Sequence, residues 1–294
     1  MLWKTLLLEN HAGIKFNFKM RKNIIFTVFS LHTFIYTCVY AQINPQSELE
    51  IALKKPEAAI QLYLNGKESD ALIQQIPKLI NLKNLNIQGE NFKRLPKGIG
   101  NLTQLSTLTI EYTQLEELPK EIGNLTNLAW LNLTANRIKA LPQEIGNLQN
   151  LKTINIIQEL QLKTLPATIG NLKNLKYLRI TQGTLASIPK EIGNLTQLED
   201  LYLFFNSLKT LPNELNQLKK LERMLLHENP FEVIPTPLYA FLEKHGYGDA
   251  GNIRELRKSD EKMKKYALWT LAIVLFSFFL VMFILRKRNF NQQL

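Results

Sequence analysis

The amino-acid sequence predicts an α/β fold: a curved solenoid with a parallel β-sheet on its concave side, followed by one transmembrane helix. Three observations carry that expectation. Proline recurs at a nearly constant spacing through the middle of the chain, an L-x-x-L-x-L phrase keeps step with it, and a long uncharged run lies near the end. The 294 residues are 45% hydrophobic and 21% charged, enough apolar material for a core. A single cysteine excludes a disulfide scaffold and any zinc site built on several thiolates. The four histidines, His11, His32, His227 and His245, offer no pair at metal-ligand spacing.

The N-terminal flank comes first. Arg21 and Lys22 precede an apolar run from Ile24 to Ala41, the arrangement of a secretory signal, with cleavage expected after Ala41. Met20 stands directly before the basic pair, so residues 1–19 read as an extension upstream of the true start. An uncleaved first membrane helix is the alternative. A lipid anchor on Cys38 is disfavoured, because Ile35, Tyr36 and Thr37 are not the small residues such a site needs.

The net charge of +11 raises the question of nucleic acid, and its distribution answers it. Residues 1–41 carry five bases against one acid, and 254–294 carry nine against three. That leaves 22 bases and 21 acids on residues 42–253, too even for a phosphate-binding stripe. No nucleic-acid partner is expected.

In the middle, prolines at 77, 96, 119, 142, 166, 189, 212 and 235 set the phase, at intervals of 19, 23, 23, 24, 23, 23 and 23. An Ile-Gly-Asn-Leu block follows most of them, as at Ile122–Leu125 and Ile192–Leu195, and the leucine phrase begins nine residues past the proline. In Leu128, Leu131 and Leu133 the last two share one face of a strand, since side chains alternate. One such strand cannot bury its face alone, but stacked copies can. Proline should stop a regular helix, glycine should supply a tight reversal, and Asn136, Asn206 and Asn229 should turn their amides onto the bend. Glu90, Thr113 and Gly183 hold that last place elsewhere, where looser bends are expected. The copy after Pro77 reads as four residues short, and the copy after Pro142 as one residue long near Gln158–Leu162.

These phrases resemble the leucine-rich repeat family, in particular its 23-residue L-P-x-x-I-G-N-L class, bacterial and Ras-scaffold-like. The resemblance implies a leucine-rich-repeat solenoid, a horseshoe whose concave sheet binds protein or peptide ligands. Residues 60–235 form the repeats. Residues 42–59 read as an N-terminal helical cap beginning at Ser47, with Glu50 three residues later, and 236–265 as a C-terminal cap, helical over Pro237–His245, with a juxtamembrane linker.

The C-terminal flank completes the topology. Ala267 to Leu285 is nineteen residues without a charge, about the 30 Å of a bilayer core, and Arg286-Lys287-Arg288 follows as a stop. A transmembrane helix over 266–286 and a cytoplasmic tail over 287–294 are therefore expected. The basic pair at 21–22 directs the repeats outward. The chain then reads as a single-pass protein of the cell membrane with its repeats on the extracytoplasmic side.

On the concave face, the third, fifth and seventh places of each strand point outward. The first half of that face is small and amide-rich: Asn84, Asn86, Gln88, Thr107, Thr109 and Glu111 lead into Asn132 and Thr134. The second half collects Trp130, Ile157, Tyr177, Arg179, Tyr202, Phe204 and Leu225, with Thr153, Thr181, Asp200, Arg223 and His227 among them. Aromatic residues with arginine on an exposed sheet are the composition of binding hot spots, so these seven are the candidate ligand-binding residues. Aromatics also suit strands for packing reasons alone.

No catalytic residue, cofactor or metal ligand is expected. Gly246 to Gly251 formally matches G-x-G-x-x-G but lacks the strand and helix that fingerprint needs. The four N-x-T sequons at Asn101, Asn124, Asn132 and Asn194 follow from the repeat phrase itself. The expected function is a non-catalytic interaction module: an adhesion protein, co-receptor or scaffold. The competing readings are a cytoplasmic-facing, tail-anchored signalling scaffold and, less favoured, the substrate-recognition part of an enzyme.

Overall fold

The computed structural model describes residues 4–9, 15–20 and 47–246. The first two segments, β1 (Lys4–Glu9) and β2 (Lys15–Met20), pair antiparallel with Lys4 opposite Met20. The rest is a single stack of coils. Its eight strands β3 (Gln61–Leu64), β4 (Asn84–Gln88), β5 (Thr107–Glu111), β6 (Trp130–Thr134), β7 (Thr153–Ile157), β8 (Tyr177–Thr181), β9 (Asp200–Tyr202) and β10 (Arg223–Leu225) lie in sequence order in one open parallel sheet. The signal run 24–41, the linker beyond Gly246 and the expected span 266–286 lie outside the described residues. Among the described residues, no helix is long and apolar enough to cross a membrane.

The leucine phrase builds this sheet as its spacing demands. Leu131 and Leu133 of β6 are fully buried and pair with Leu108 and Ile110 of β5 on one side, Ile154 and Ile156 of β7 on the other. In that coil Leu128, Ile138, Ile145 and Leu148 complete the inner ring without exposure. Each such side chain contributes about 1.5–3 kcal/mol on burial, so the core is continuous along the stack rather than centred in any one coil. The return segments are short 3-10 turns, for example Lys120–Asn124 and Lys190–Asn194. From Lys97–Asn101 to Asn213–Gln217 a proline precedes each at an extended backbone, Pro119 at φ −65 and ψ 148, and its fixed φ sets the entry.

Glycine in the Ile-Gly-Asn-Leu block has a different task from the expected reversal. None of these glycines has a positive φ. A Cβ on Gly123 would stand 2.7 Å from the carbonyl oxygen of Glu144 in the next coil, and one on Gly146 would stand 2.5 Å from that of Thr168. The glycines let successive 3-10 turns stack backbone against backbone.

The expected deletion after Pro77 is also corrected. Strands β3, β4 and β5 are spaced by 23 residues, with Gln61 opposite Asn84 and Asn84 opposite Thr107. Nothing is missing. Pro77 is simply out of phase: it lies inside the 3-10 turn Ile76–Lys78, and a short helix α2 (Asp70–Ile73), capped by Ser69, takes the usual proline position. The extra residue after Pro142 is real, since Thr153 pairs with Tyr177. Leu160 is thrown outward there, 64% exposed.

Polar side chains stitch the coils. Asn206 donates to the carbonyl of Ile180 at 2.7 Å and accepts from the N–H of Leu185, and Asn229 does the same for Leu203 and Leu208. Thr113 does not loosen its bend: it is buried, donates to Asn136 Oδ1 at 2.6 Å and accepts from the N–H of Leu115. Glu159 holds the same place one coil beyond Asn136, accepting from the N–H of Asn136, its side-chain amide and the N–H of Ile138 at 2.8–2.9 Å. A second ladder runs along the opposite edge. Asn127, Asn150 and Asn174 each donate to a carbonyl one coil back, those of Thr103, Thr126 and Gln149, at 2.8 Å.

Both ends are covered. Helix α1 (Glu48–Lys54) starts at Ser47, whose hydroxyl accepts from the N–H of Glu50, and buries Leu49 against the first coil. It ends before Pro56, short of the expected Ala59, because that ring cannot continue a helix; a 3-10 turn Pro56–Ala58 follows. Glu48 accepts the N–H of Tyr63 on the outermost strand, satisfying an edge donor. At the other end α3 (Tyr239–Lys244) closes the core with Leu242, beside buried Leu238.

Candidate binding face

The sheet has one face on the core and one open. On the open side the register lines up three rows. One runs Thr107, Trp130, Thr153, Tyr177, Asp200, Arg223, and the next Thr109, Asn132, Asn155, Arg179, Tyr202, Leu225. The third passes through Glu111, Thr134, Ile157 and Thr181. All seven candidate residues keep exposed surface, Tyr177 and Leu225 the most at 38%.

They do not form one patch. Trp130 is separated from Tyr177 by the strand of Thr153, at about 10 Å for two strand spacings. Tyr202 gathers two of the others: the Arg179 guanidinium lies 5.1 Å from its ring centre, and Leu225 is its register partner. Its hydroxyl donates to Asp200, whose carboxylate also takes Arg223 in a two-pronged pair at 2.8 and 2.6 Å. Asp200, expected to point outward, is therefore covered at 4% exposure, and Thr153 and Thr181 are buried between larger neighbours in the same way. The covered Asp200 and burial together raise the Tyr202 phenol above its ordinary pKa, burial being the larger cause. Lys176 pairs with Glu199 at 2.7 Å, and the hydrogen bond to Glu199 raises the Tyr177 phenol.

Phe204 stacks on His227 at 4.8 Å with the rings 9° apart. Phe205 meets that His227 edge-on and is 47% exposed. Neither Phe205 nor the exposed Tyr112 was legible as a surface residue in the leucine phrase. Both sit one place past the seventh position with φ 54, where the first two coils carry Gly66 and Gly89. Alignment to those glycines was the available signal.

The amide-rich half is a network rather than a bare surface. Gln88 and Asn132 both donate to Glu111, at 3.0 and 2.6 Å, and Thr134 donates to Asn132. Burial pushes the Glu111 carboxyl above its ordinary pKa while these two bonds pull it down, and burial likewise leads for Glu48 and Glu159. The sign follows from proton binding. The folded chain holds protons at these three groups more tightly than the unfolded chain, so stability rises as pH falls through the interval just above the ordinary glutamate value. Glu116 and Glu199 are held low by hydrogen bonds from Lys139 and Lys176, but that stabilisation is lost only below that interval. His245, whose imidazole burial holds below its ordinary pKa, opposes this trend, so in a chain carrying His245→Gln the urea midpoint is expected to be higher at about pH 5 than at about pH 7. A midpoint that drops over this range contradicts the burial of these carboxylates.

Among the described residues no group of His, Cys, Asp or Glu is placed to hold a metal ion. The family model described as a leucine-rich repeat region matches residues 59–136 and 120–244. The chain belongs to the leucine-rich repeat family. No curated protein matches it. Among solved structures, this leucine-rich repeat chain is similar to an LRR protein of Leptospira interrogans, at 31% identity over 67% of this chain and 62% of that one, with a TM-score of 0.45. It is also similar to the plant peptide hormone receptor RGFR1 in complex with RGF2, at 29% identity over 53% of this chain and 30% of the receptor, TM-score 0.40. A third similarity is to PEPR1–AtPEP1, at 28% identity over 54% of this chain and 23% of that one, TM-score 0.44. The chain spans less than two thirds of the length of each of them.

Proposed function

We propose that this leucine-rich repeat chain is a non-catalytic interaction module of the 23-residue class that binds a protein or peptide ligand on the open, concave face of its sheet. It is held in the cell membrane by residues 266–286, with the repeats on the extracytoplasmic side. The observation that carries the binding reading is the exposed cluster around Tyr202, with Arg179 over its ring, Leu225 beside it and Tyr177 one strand away. An aromatic–arginine surface of this kind is pre-organised by strands and by the Asp200–Arg223 pair, so little side-chain freedom is lost on docking. The membrane reading rests on the uncharged run and its basic stop.

The test is a double replacement, Tyr177→Ala with Tyr202→Ala, in the full chain expressed in its own cells. Crosslinked partners identified by mass spectrometry should disappear, while circular dichroism of the purified chain stays unchanged. Truncation of one hot-spot residue costs about 2 kcal/mol or more, so the pair should weaken binding by about a thousandfold. Partners retained at full yield would refute the site. Protease added to intact cells should cut the repeats, and protection of them would reverse the orientation.

A further inference from the structure

Beside the open face, at the C-terminal ends of the strands, Gln182, Phe205, Asn206 and Glu228 enclose an open hollow. Three of these four residues, Gln182, Phe205 and Glu228, occupy the left-handed backbone position, at φ 57, 54 and 55. Glycine fills that position without strain at Gly66 and Gly89, so each of the three keeps a side chain at a conformational cost. The position is rigid: the N–H of Phe205 donates to the carbonyl of His227, and that of Asn206 to the carbonyl of Glu228.

The chemistry of the hollow has one sign. Phe205 offers a half-exposed ring, set near-perpendicular to Phe204 and His227, as a surface for a cation. Glu228 is exposed, and its carboxylate has no ion pair among the described residues. Across the four rim loops at 158–160, 182–184, 205–207 and 228–230 there is no lysine or arginine, and with Glu159 buried in the ladder Glu228 is the one exposed charge. A ring, a free carboxylate and a rim without bases select a positively charged side chain.

We propose that this rim hollow seats an arginine or lysine side chain of the bound protein or peptide, with the Phe205 ring against the cation and Glu228 as its counter-charge. The proposal rests on the protein-ligand reading for the origin of that side chain, but the seat itself can be probed without the partner. The probe is the capped tripeptide acetyl-Gly-Arg-Gly-amide, titrated into the full chain carrying 13C-labelled phenylalanine, with acetyl-Gly-Gln-Gly-amide as the neutral control.

The Phe205 resonance, assigned by its loss in Phe205→Gly, should shift saturably with the arginine peptide and not with the glutamine one. Glu228→Gln should weaken that binding about fivefold or more. Phe205→Gly should also lose it, while its melting temperature stays level or rises because glycine suits the left-handed position. The Tyr177→Ala, Tyr202→Ala chain should bind the tripeptide normally, which separates this seat from the open face. Equal shifts with both peptides, no saturable shift, or an unchanged affinity in Glu228→Gln would each overturn the proposal.

Discussion

Replacing Gly193 by alanine is expected to lower the stability of the chain by about 2–3 kcal/mol, the cost of forcing atoms into a packed interior. The added Cβ would drive into the carbonyl oxygen and Cβ of Glu214 in the next coil, and backbone cannot rotate aside as a flexible side chain can. The melting temperature should fall by about 5–10 °C for a repeat region of this size. Asn216 provides the control. It holds the place of Gly193 one coil later, where the following turn is reduced to Thr236–Leu238. Asn216→Ala should change stability little. If Gly193→Ala were as benign as Asn216→Ala, the stacking of 3-10 turns described above would be wrong.

Glu159→Ala is expected to be comparably damaging, for an electrostatic reason. The carboxylate is buried and receives two backbone N–H groups, of Asn136 and Ile138, which lose this acceptor once it is gone. Each orphaned donor costs about 1–3 kcal/mol, giving about 2–4 kcal/mol for the pair after partial relaxation. The neighbouring coils suggest the rescue. Asn206 and Asn229 each accept the N–H twenty-one residues back and donate to a carbonyl twenty-six back. Glu159→Asn should therefore recover most of the loss, by accepting from Ile138 and donating toward Leu133. Thermal unfolding of the alanine and asparagine variants side by side reads this directly. An alanine variant as stable as the asparagine one would remove Glu159 from the ladder.

These two positions also mark how far the residues could be read in advance. The Leu128, Leu131, Leu133 spacing announced which face of each strand is buried, because alternation along a strand leaves no freedom. Gly193 is visible as a recurring member of the phrase, but its purpose is not, since close approach to Glu214 exists only once two coils are stacked. Glu159 went unremarked among Glu90, Thr113 and Gly183, although it holds the best-satisfied place of the ladder. Phe205 failed for a third reason: a phenylalanine carries no local sign of a positive φ.

The candidate face divides the same way. The rows bearing Tyr177, Arg179 and Tyr202 followed from counting, whereas the pairing of Asp200 with Arg223, which covers one residue and orients two, did not. By itself the sequence determined the repeat, the strands, the inner leucines and the covered ends, all properties of one coil and its period. Only the stacked structure decided the phase of Pro77, the glycine contacts, the carboxylate at Glu159 and the hollow at Phe205. Each of these depends on atoms about 23 residues apart meeting across a coil boundary, a distance over which local side-chain preference carries no information.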